Sequence, residues 1–259
     1  MVRNFQELFQ YRALLFALVQ RELQSRYRGS VLGFLWTFLN PTLLMLVYAL
    51  VFSVYMRSDV PAYTYFMFVG LLPWLCFAAC LTSGTSSISD RRDLLTKVRF
   101  PAQVLPATAV AVQVTNFVLS LPLMLVLGLM HGHAPTWHVL LAPLVLAVQL
   151  LFTLGLVYLL SAINVAFRDL QHVVGNLVTL WFFVTPVLYP VSRVPERYRE
   201  LVTLVNPMAA IIRAYQALFY EHALPEPAPL LLVLAGSLAL LAVSTRVFES
   251  RRELFAEIV

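Results

Sequence analysis

Few residues in this chain could do bond-making chemistry, and most are poorly placed for it. His131, His133 and His138 share one short polar turn, a grouping that raises the question of a metal ion. That turn holds no carboxylate or thiol, and its spacing matches no common zinc site, so no metal is expected. His172 is the one histidine inside an apolar run near a carboxylate, Asp169, and the pair reads as securing a helix end. A membrane-embedded transferase acting on lipid-linked sugars would need polar catalytic groups at the membrane face. Beyond Asp169 and His172 the sequence offers few, so no catalytic residue is assigned and the chain is not read as an enzyme. Cys76 and Cys80 lie four apart in an apolar run and read as packing thiols. Lys97 is the only lysine, between Thr96 and Val98, so no Gly-Lys-Ser/Thr phosphate loop exists. No cofactor is expected in this chain. The remaining phosphate chemistry rests on Arg26 and Arg28, which could hold a lipid diphosphate headgroup or serve only as topology anchors.

The elements that must position these residues are set by hydropathy. The 259-residue chain is 60% hydrophobic and 12% charged, with mean hydropathy +0.80, which marks a polytopic membrane protein. Six apolar runs are delimited by charges: Val31–Met56, Val60–Ser89, Phe100–Met130, Val139–Phe167, Leu170–Ser192 and Pro227–Thr245. Each meets the roughly 20 residues a helix needs to cross a hydrocarbon core of about 30 Å. Pro41 is expected to kink the first, and His131–Pro135 to divide the third from the fourth. The fold class is therefore an all-α polytopic membrane protein with six transmembrane helices. The net charge of +5 is scattered among loops, which argues against nucleic-acid binding.

Residues 1–30 precede the spans. Leu14, Leu15, Leu18, Val19 and Leu23 fall on one helical stripe, with Arg12, Gln20, Arg21, Gln24 and Arg28 leaning away. That pattern suits an amphipathic interfacial helix lying in the headgroup plane, or a surface helix packed on protein. Lys and Arg are concentrated in this leader, in Asp90–Arg99, at Arg168 and in the tail from Arg246, so both termini are expected to be cytoplasmic.

Two further stretches stand out. The apolar run Leu201–Ile212 is too short to span and is broken by Asn206-Pro207, which reads as a re-entrant hairpin before the last helix. On the cytoplasmic side lies residues 89–101, with Asp90, Arg91, Arg92, Asp93, Leu94 and Lys97. Ser89 or Asp90 could cap a short helix there, supported by an Asp93–Lys97 pair four residues apart. Such an amphipathic rod could fill a groove on a partner, or the segment could be a basic turn that sets topology. The spans are nearly free of ionisable groups, which disfavours ion-coupled transport. Uphill movement would thus require work supplied by another polypeptide.

Taken together, several stretches carry a family resemblance. They are Arg21-Glu22-Leu23-Gln24-Ser25-Arg26-Tyr27-Arg28 with Gly29 to Trp36, Asn40-Pro41, Thr96-Lys97-Val98-Arg99-Phe100-Pro101, and Asn164-Val165-Ala166-Phe167-Arg168-Asp169. Trp181 to Tyr189 and Val205-Asn206-Pro207-Met208 complete the set. The chain resembles the membrane-spanning subunit of ABC-2 type exporters, nearest the polysaccharide permeases: O-antigen, with teichoic acid and capsule close by. The resemblance covers nearly the whole length, so residues 31–259 form one ABC-2 type domain. It implies an inner (plasma) membrane permease for lipid-linked polysaccharide, most nearly O-antigen. Export of teichoic acid, capsule or a small lipid or drug is the neighbouring reading. The resemblance further implies a homodimer, with each copy bound to a separate nucleotide-binding subunit that holds ATP and magnesium. Coupling would run through Asp90–Arg99 and the leader. The first and fifth helices would line the conduit, and residues 194–221 would form an extracytoplasmic gate turning at Asn206 and Pro207. Aromatic candidates for stacking on sugar rings are Trp36, Tyr48, Phe52 and Tyr55, with Trp181, Phe182, Phe183 and Tyr189. Packing within the bundle is the competing role for all eight.

Overall fold

A computed structural model describes residues 2–56, 58–91 and 100–251; the side chains of residues 2–5, 26, 27 and 34 are not among those described. Two short helices, α1 (Val2–Gln10) and α2 (Arg12–Tyr27), lead into the membrane domain. The first span, α3, runs Trp36–Tyr55, its last part (Leu50–Tyr55) widened to a π-helix. Spans α4 (Tyr63–Ser86), α5 (Val104–Met130) and α6 (Ala142–Ala166, preceded by the 3-10 turn Trp137–Leu141) follow. Then come α7 (Leu170–Val184), α8 (Glu196–Val205), α9 (Pro207–Gln216, continued as a π-helix over Ala217–Glu221) and α10 (Pro227–Ser250).

Five of these, α3 to α6 and α10, are long and apolar enough to cross a membrane, and the chain is all-α and polytopic. The run Leu170–Ser192 behaves differently from a full span. Its helix stops at Val184, a rod of about 22 Å at 1.5 Å per residue. The cause is local: Pro186 disfavours helical geometry at the residue before it, and Thr185 is extended at φ −93°, ψ 134°. Pro41, by contrast, sits inside α3 without ending it. Proline leaves the Thr37 carbonyl without its usual backbone donor. The Ser120 hydroxyl of α5, which donates to Asn116 O at 2.9 Å, lies 3.5 Å from that carbonyl.

Helix α4 is the hub. It packs on α5, α6, α3, α7 and α9, and α10 lies along α6. Phe77, Phe68 and Met67 of α4 are fully buried, and the free thiols Cys76 and Cys80 are buried beside them. Two glycines permit the closest approaches. A Cβ on Gly84 would stand 2.5 Å from Val157 Cγ1, and one on Gly128 would meet Tyr65 Oη at 2.8 Å. The apolar stripe of the leader faces protein: Leu18 is buried against Val104 and Leu105 at the start of α5, with Leu14 and Leu15 packed alongside. Phe9 and Phe16 point outward.

Candidate functional site

The short apolar run around Asn206 folds as two helices, α8 and α9, bent by 98°. Asn206 is the N-cap of α9, and its Oδ1 accepts from Met208 N at 3.1 Å and Ala209 N at 3.3 Å. Pro207 occupies the first helical position, where its missing N–H costs nothing. The same Oδ1 also accepts from the indole Nε1 of Trp181 at 2.9 Å, while Asn206 Nδ2 donates to Thr185 Oγ1 at 3.0 Å. Thr185 Oγ1 in turn donates to Trp181 O at 2.7 Å. One asparagine thereby caps α9 and ties it to the end of α7.

More bonds of this kind hold the irregular segment after α7. Gln216 Nε2 donates to Pro186 O at 3.2 Å, and Tyr63 Oη donates to Leu188 O at 2.7 Å. Tyr65 Oη donates to Phe219 O at 3.1 Å, and Tyr220 Oη to Pro61 O at 2.6 Å. Non-helical backbone at membrane depth survives only with its polar groups satisfied by protein or water. The two legs differ sharply. Helix α9 is almost wholly buried against α4, whereas α8 leaves Leu201, Leu204 and Val205 exposed. Between the legs and the start of α10 lies a cavity of 520 Å³ lined in part by Arg199, Glu200, Arg213 and Glu221. Arg213 and Glu221 pair across it at 2.9 Å.

The structure separates the eight aromatics. Phe182 is buried against Trp74 (5.6 Å between centroids) and Tyr48 (5.7 Å). Trp181 stands edge-on to Phe77 at 5.3 Å with its indole N–H committed to Asn206. Phe52 stacks on Tyr63 at 6.1 Å, and the Tyr189 hydroxyl donates to Phe183 O at 3.0 Å. Trp36, Tyr55 and Phe183 are exposed. Phe183 shares its exposed face of α7 with Leu177, Leu180 and Val184, and α3 exposes Leu43, Val47, Leu50 and Val54.

At the end of the bundle that carries the leader, Ser89–Arg91 forms a 3-10 turn. Ser86 Oγ donates to Asp90 Oδ2 at 2.6 Å, and Asn164 Nδ2 to Ser89 Oγ at 3.2 Å. Arg91 forms an ion pair with Glu22 of the leader, and Gln103 Nε2 donates to Glu7 Oε2 at 3.0 Å. The leader is therefore fastened to both flanks of the loop. Arg92, Asp93, Leu94 and Lys97 lie outside the described residues, as does the side chain of Arg26. Arg28 is exposed at the end of α2. Asp169 takes the N-cap position of α7 without a side-chain capping bond.

One grouping escapes a reading of the sequence. His222, left-handed at φ 53°, brings its ring to 5.4 Å from His133, which stacks on Tyr220 at 4.8 Å and faces Tyr65 at 5.1 Å. The turn after α5 is thus joined to the end of the hairpin. Burial lowers the pKa of His222 below the ordinary histidine value of 6.5, and His133 and His138 push it the same way. Nothing in the local pattern around Tyr65, Tyr220 or His222 announces this contact; only the fold brings them together. Among the described residues, no three His, Cys, Asp or Glu side chains are grouped to hold a metal ion.

Comparison with known proteins places this architecture. A family model described as ABC-2 type transporter matches residues 13–220. An O-antigen export system permease protein of Myxococcus xanthus is 62% identical over 258 residues, covering 99% of both chains. A protein of the same name from Klebsiella pneumoniae is 32% identical over 250 residues, 95% of each. A polysialic acid transport protein of Escherichia coli is 20% identical over 240 residues, covering 92% of this chain and 93% of its own.

Proposed function

The chain belongs to the ABC-2 type transporter family, and on that premise we propose that it is the permease subunit of an ATP-driven exporter of lipid-linked polysaccharide, with O-antigen as cargo. The observation that carries the cargo assignment is the 62% identity, end to end, with a permease named for O-antigen export. The likeness to a polysialic acid transport protein points to capsular polysaccharide as the second reading, at much lower identity.

In this reading two copies sit in the inner membrane with both termini cytoplasmic, each engaging a separate nucleotide-binding subunit that holds ATP and magnesium. The segment from Asp90, with Arg91, Arg92, Asp93, Leu94 and Lys97, receives the stroke. The Arg91–Glu22 pair and the Gln103–Glu7 bond support this role, because they let a push on the loop reach the leader. Arg26 and Arg28 meet the phosphates of the carrier lipid. The exposed faces of α3 and α7 line the conduit, with Trp36, Tyr55 and Phe183 available for sugar contact. Trp181 acts differently in this scheme: its hydrogen bond to Asn206 makes it a link between conduit helix and gate hairpin.

The test is reconstitution. The chain, co-expressed with candidate P-loop ATPases of its host, should co-purify with one of them. ATP turnover by that complex should rise on adding the host's lipid-linked O-polysaccharide. Failure to retain any ATPase, or concentrative export by the isolated chain, would overturn the proposal.

A further inference from the structure

The cavity of 520 Å³ beside the hairpin has an apolar floor and a charged rim. Ala210, Ala214 and Ala217 recur one turn apart along α9 and its continuation, so they share a face and present only methyl groups. Above them, α8 contributes Arg199 and Glu200, while Arg213 and Glu221 pair at 2.9 Å on the other leg. Glu226 stands one residue before the spanning helix α10, and both it and Glu200 are exposed, so the cavity opens at a water-facing end of the bundle. That end is remote from the leader. The start of α4 reaches Leu188 through Tyr63, and its far end reaches Asp90 through Ser86. The two walls are unequal: eight of the ten residues of α9 are buried, but none of the ten in α8. A wall so loosely held can close on a guest.

The charges decide which guest. Two arginines face three glutamates, an excess of one negative charge. Arg199 Nη2 donates to the carbonyls of Ser192 at 3.2 Å and Val194 at 3.3 Å, and Glu221 meets the charge of Arg213. A phosphate would find neither an open fork on Arg199 nor net positive charge. A lone cation would share the space with two guanidinium groups. The carboxylates of Glu200 and Glu226 have no ion-pair or hydrogen-bond partner among the described residues, so the rim offers acceptors in want of donors. Hydroxyls supply such donors and also accept, without bringing a charge. We propose that this cavity is a saccharide site for a short stretch of the polysaccharide. Sugar hydroxyls donate to Glu200 and Glu226, the Arg213–Glu221 pair gives a donor and an acceptor to neighbouring hydroxyls, and the C–H face of a ring rests on the alanines. Its volume lies within the roughly 300–1,000 Å³ of ordinary ligand sites. The inference rests on the cargo reading above and names where the hairpin meets that cargo.

The experiment uses the full-length chain in phosphatidylcholine nanodiscs. Leu224→Cys places a reporter thiol at the cavity mouth, where Leu224 is 59% exposed, while Cys76 and Cys80 are buried. Saturating delipidated O-polysaccharide from the host should slow its reaction with a water-soluble maleimide by roughly tenfold. Glycerophosphoethanolamine and magnesium chloride should leave the rate unchanged. Glu200→Gln and Glu226→Gln, each in that background, should raise the polysaccharide concentration needed by about tenfold, the worth of one charge-assisted hydrogen bond. In the unsubstituted chain, amide exchange over Glu196–Val205 should slow when the polysaccharide is added, with α9 unchanged. Absence of both effects would overturn the proposal, whatever the variants do. Equal protection by glycerophosphoethanolamine or magnesium would overturn it too, since the cavity would then take a lipid headgroup or a cation. So would protection that survives both glutamine substitutions. Neither readout involves the ATPase, so the two readings fail separately. A chain that exports with its ATPase but shows no protection loses this site and keeps its function. A chain protected as expected that retains no ATPase keeps the site and loses the function.

Discussion

Helices α3 and α4 are spans of nearly equal hydropathy that end in opposite surroundings. In α4, 72% of the spanning window is buried inside the bundle; in α3 the figure is 11%. Both are rich in Leu, Phe and Tyr, so apolar content cannot separate a hub from a rim. What separates them is shape and hydrogen-bonding reach. Helix α4 carries Gly84, which admits Val157, and two tyrosines whose hydroxyls cap carbonyls more than a hundred positions away in the chain. Helix α3 presents Leu43, Val47, Leu50 and Val54 as an unbroken apolar face. The protein thus concentrates its internal specificity in one helix and leaves another free for lipid or for a second copy.

The largest break in that contrast should come from deleting a side chain at the hub. Phe77 is fully buried and touches Phe152, Trp74 and Trp181. Phe77→Ala should cost about 3–5 kcal/mol, read as a fall in the melting temperature of the purified chain. Val47→Ala on α3 should stay within about 0.5 kcal/mol in the same assay, because Val47 is 58% exposed. Equal losses would erase the distinction. Next in size is overpacking: Gly84→Ala should cost about 1–3 kcal/mol, because its new methyl meets Val157 at 2.5 Å. Adding Val157→Ala should recover much of that loss, and a merely additive double variant would show that the contact is not the cause.

Comparable in size but narrower in reach is the loss of one donor. Tyr63→Phe leaves the Leu188 carbonyl without its partner at about 1–3 kcal/mol, an effect confined to residues 185–190. Amide exchange in that segment should quicken while the core of α4 stays protected. Exchange that quickened evenly throughout would mean that Tyr63 stabilises the whole bundle.

Much of this arrangement was legible in the residues, for identifiable reasons. Spans announce themselves through uncharged runs, and Asn206-Pro207 announces a break between two short helices, which the structure bears out. The turn at His131–Pro135 separates two helices as its Gly and Pro suggest. The run Leu170–Ser192 was harder to read, because an apolar run says nothing of where Pro186 will stop a helix. The leader's stripe fits either lipid or protein, and only the fold shows it against Val104 and Leu105. Trp181 looks like a stacking surface in sequence, but its indole N–H meets a partner 25 positions away. The histidine contact beside the hairpin depends on three separate elements meeting, which no local period encodes.

That contact supplies the weakest and most specific test of the hub, because it joins the hairpin to the turn after α5 by rings instead of a packed core. His222 has its pKa lowered, first by burial and then by His133 and His138, so the folded chain holds fewer protons on it than the unfolded chain. Stability rises with pH wherever the unfolded state binds more protons, so this contribution is present above about 6.5 and is lost as pH falls below it. Tyr65 and Tyr220, the other rings at the contact, stay neutral across that window, while the Glu221 carboxylate beside Tyr220 is paired with Arg213. Protonating His222 would place a charge on a ring 5.4 Å from that of His133. Amide exchange in Ala217–Glu221 should therefore accelerate on acidification through about 6.5, with α4 unaffected. His222→Gln should flatten that dependence; an unchanged pH profile in this variant would assign the effect to other groups.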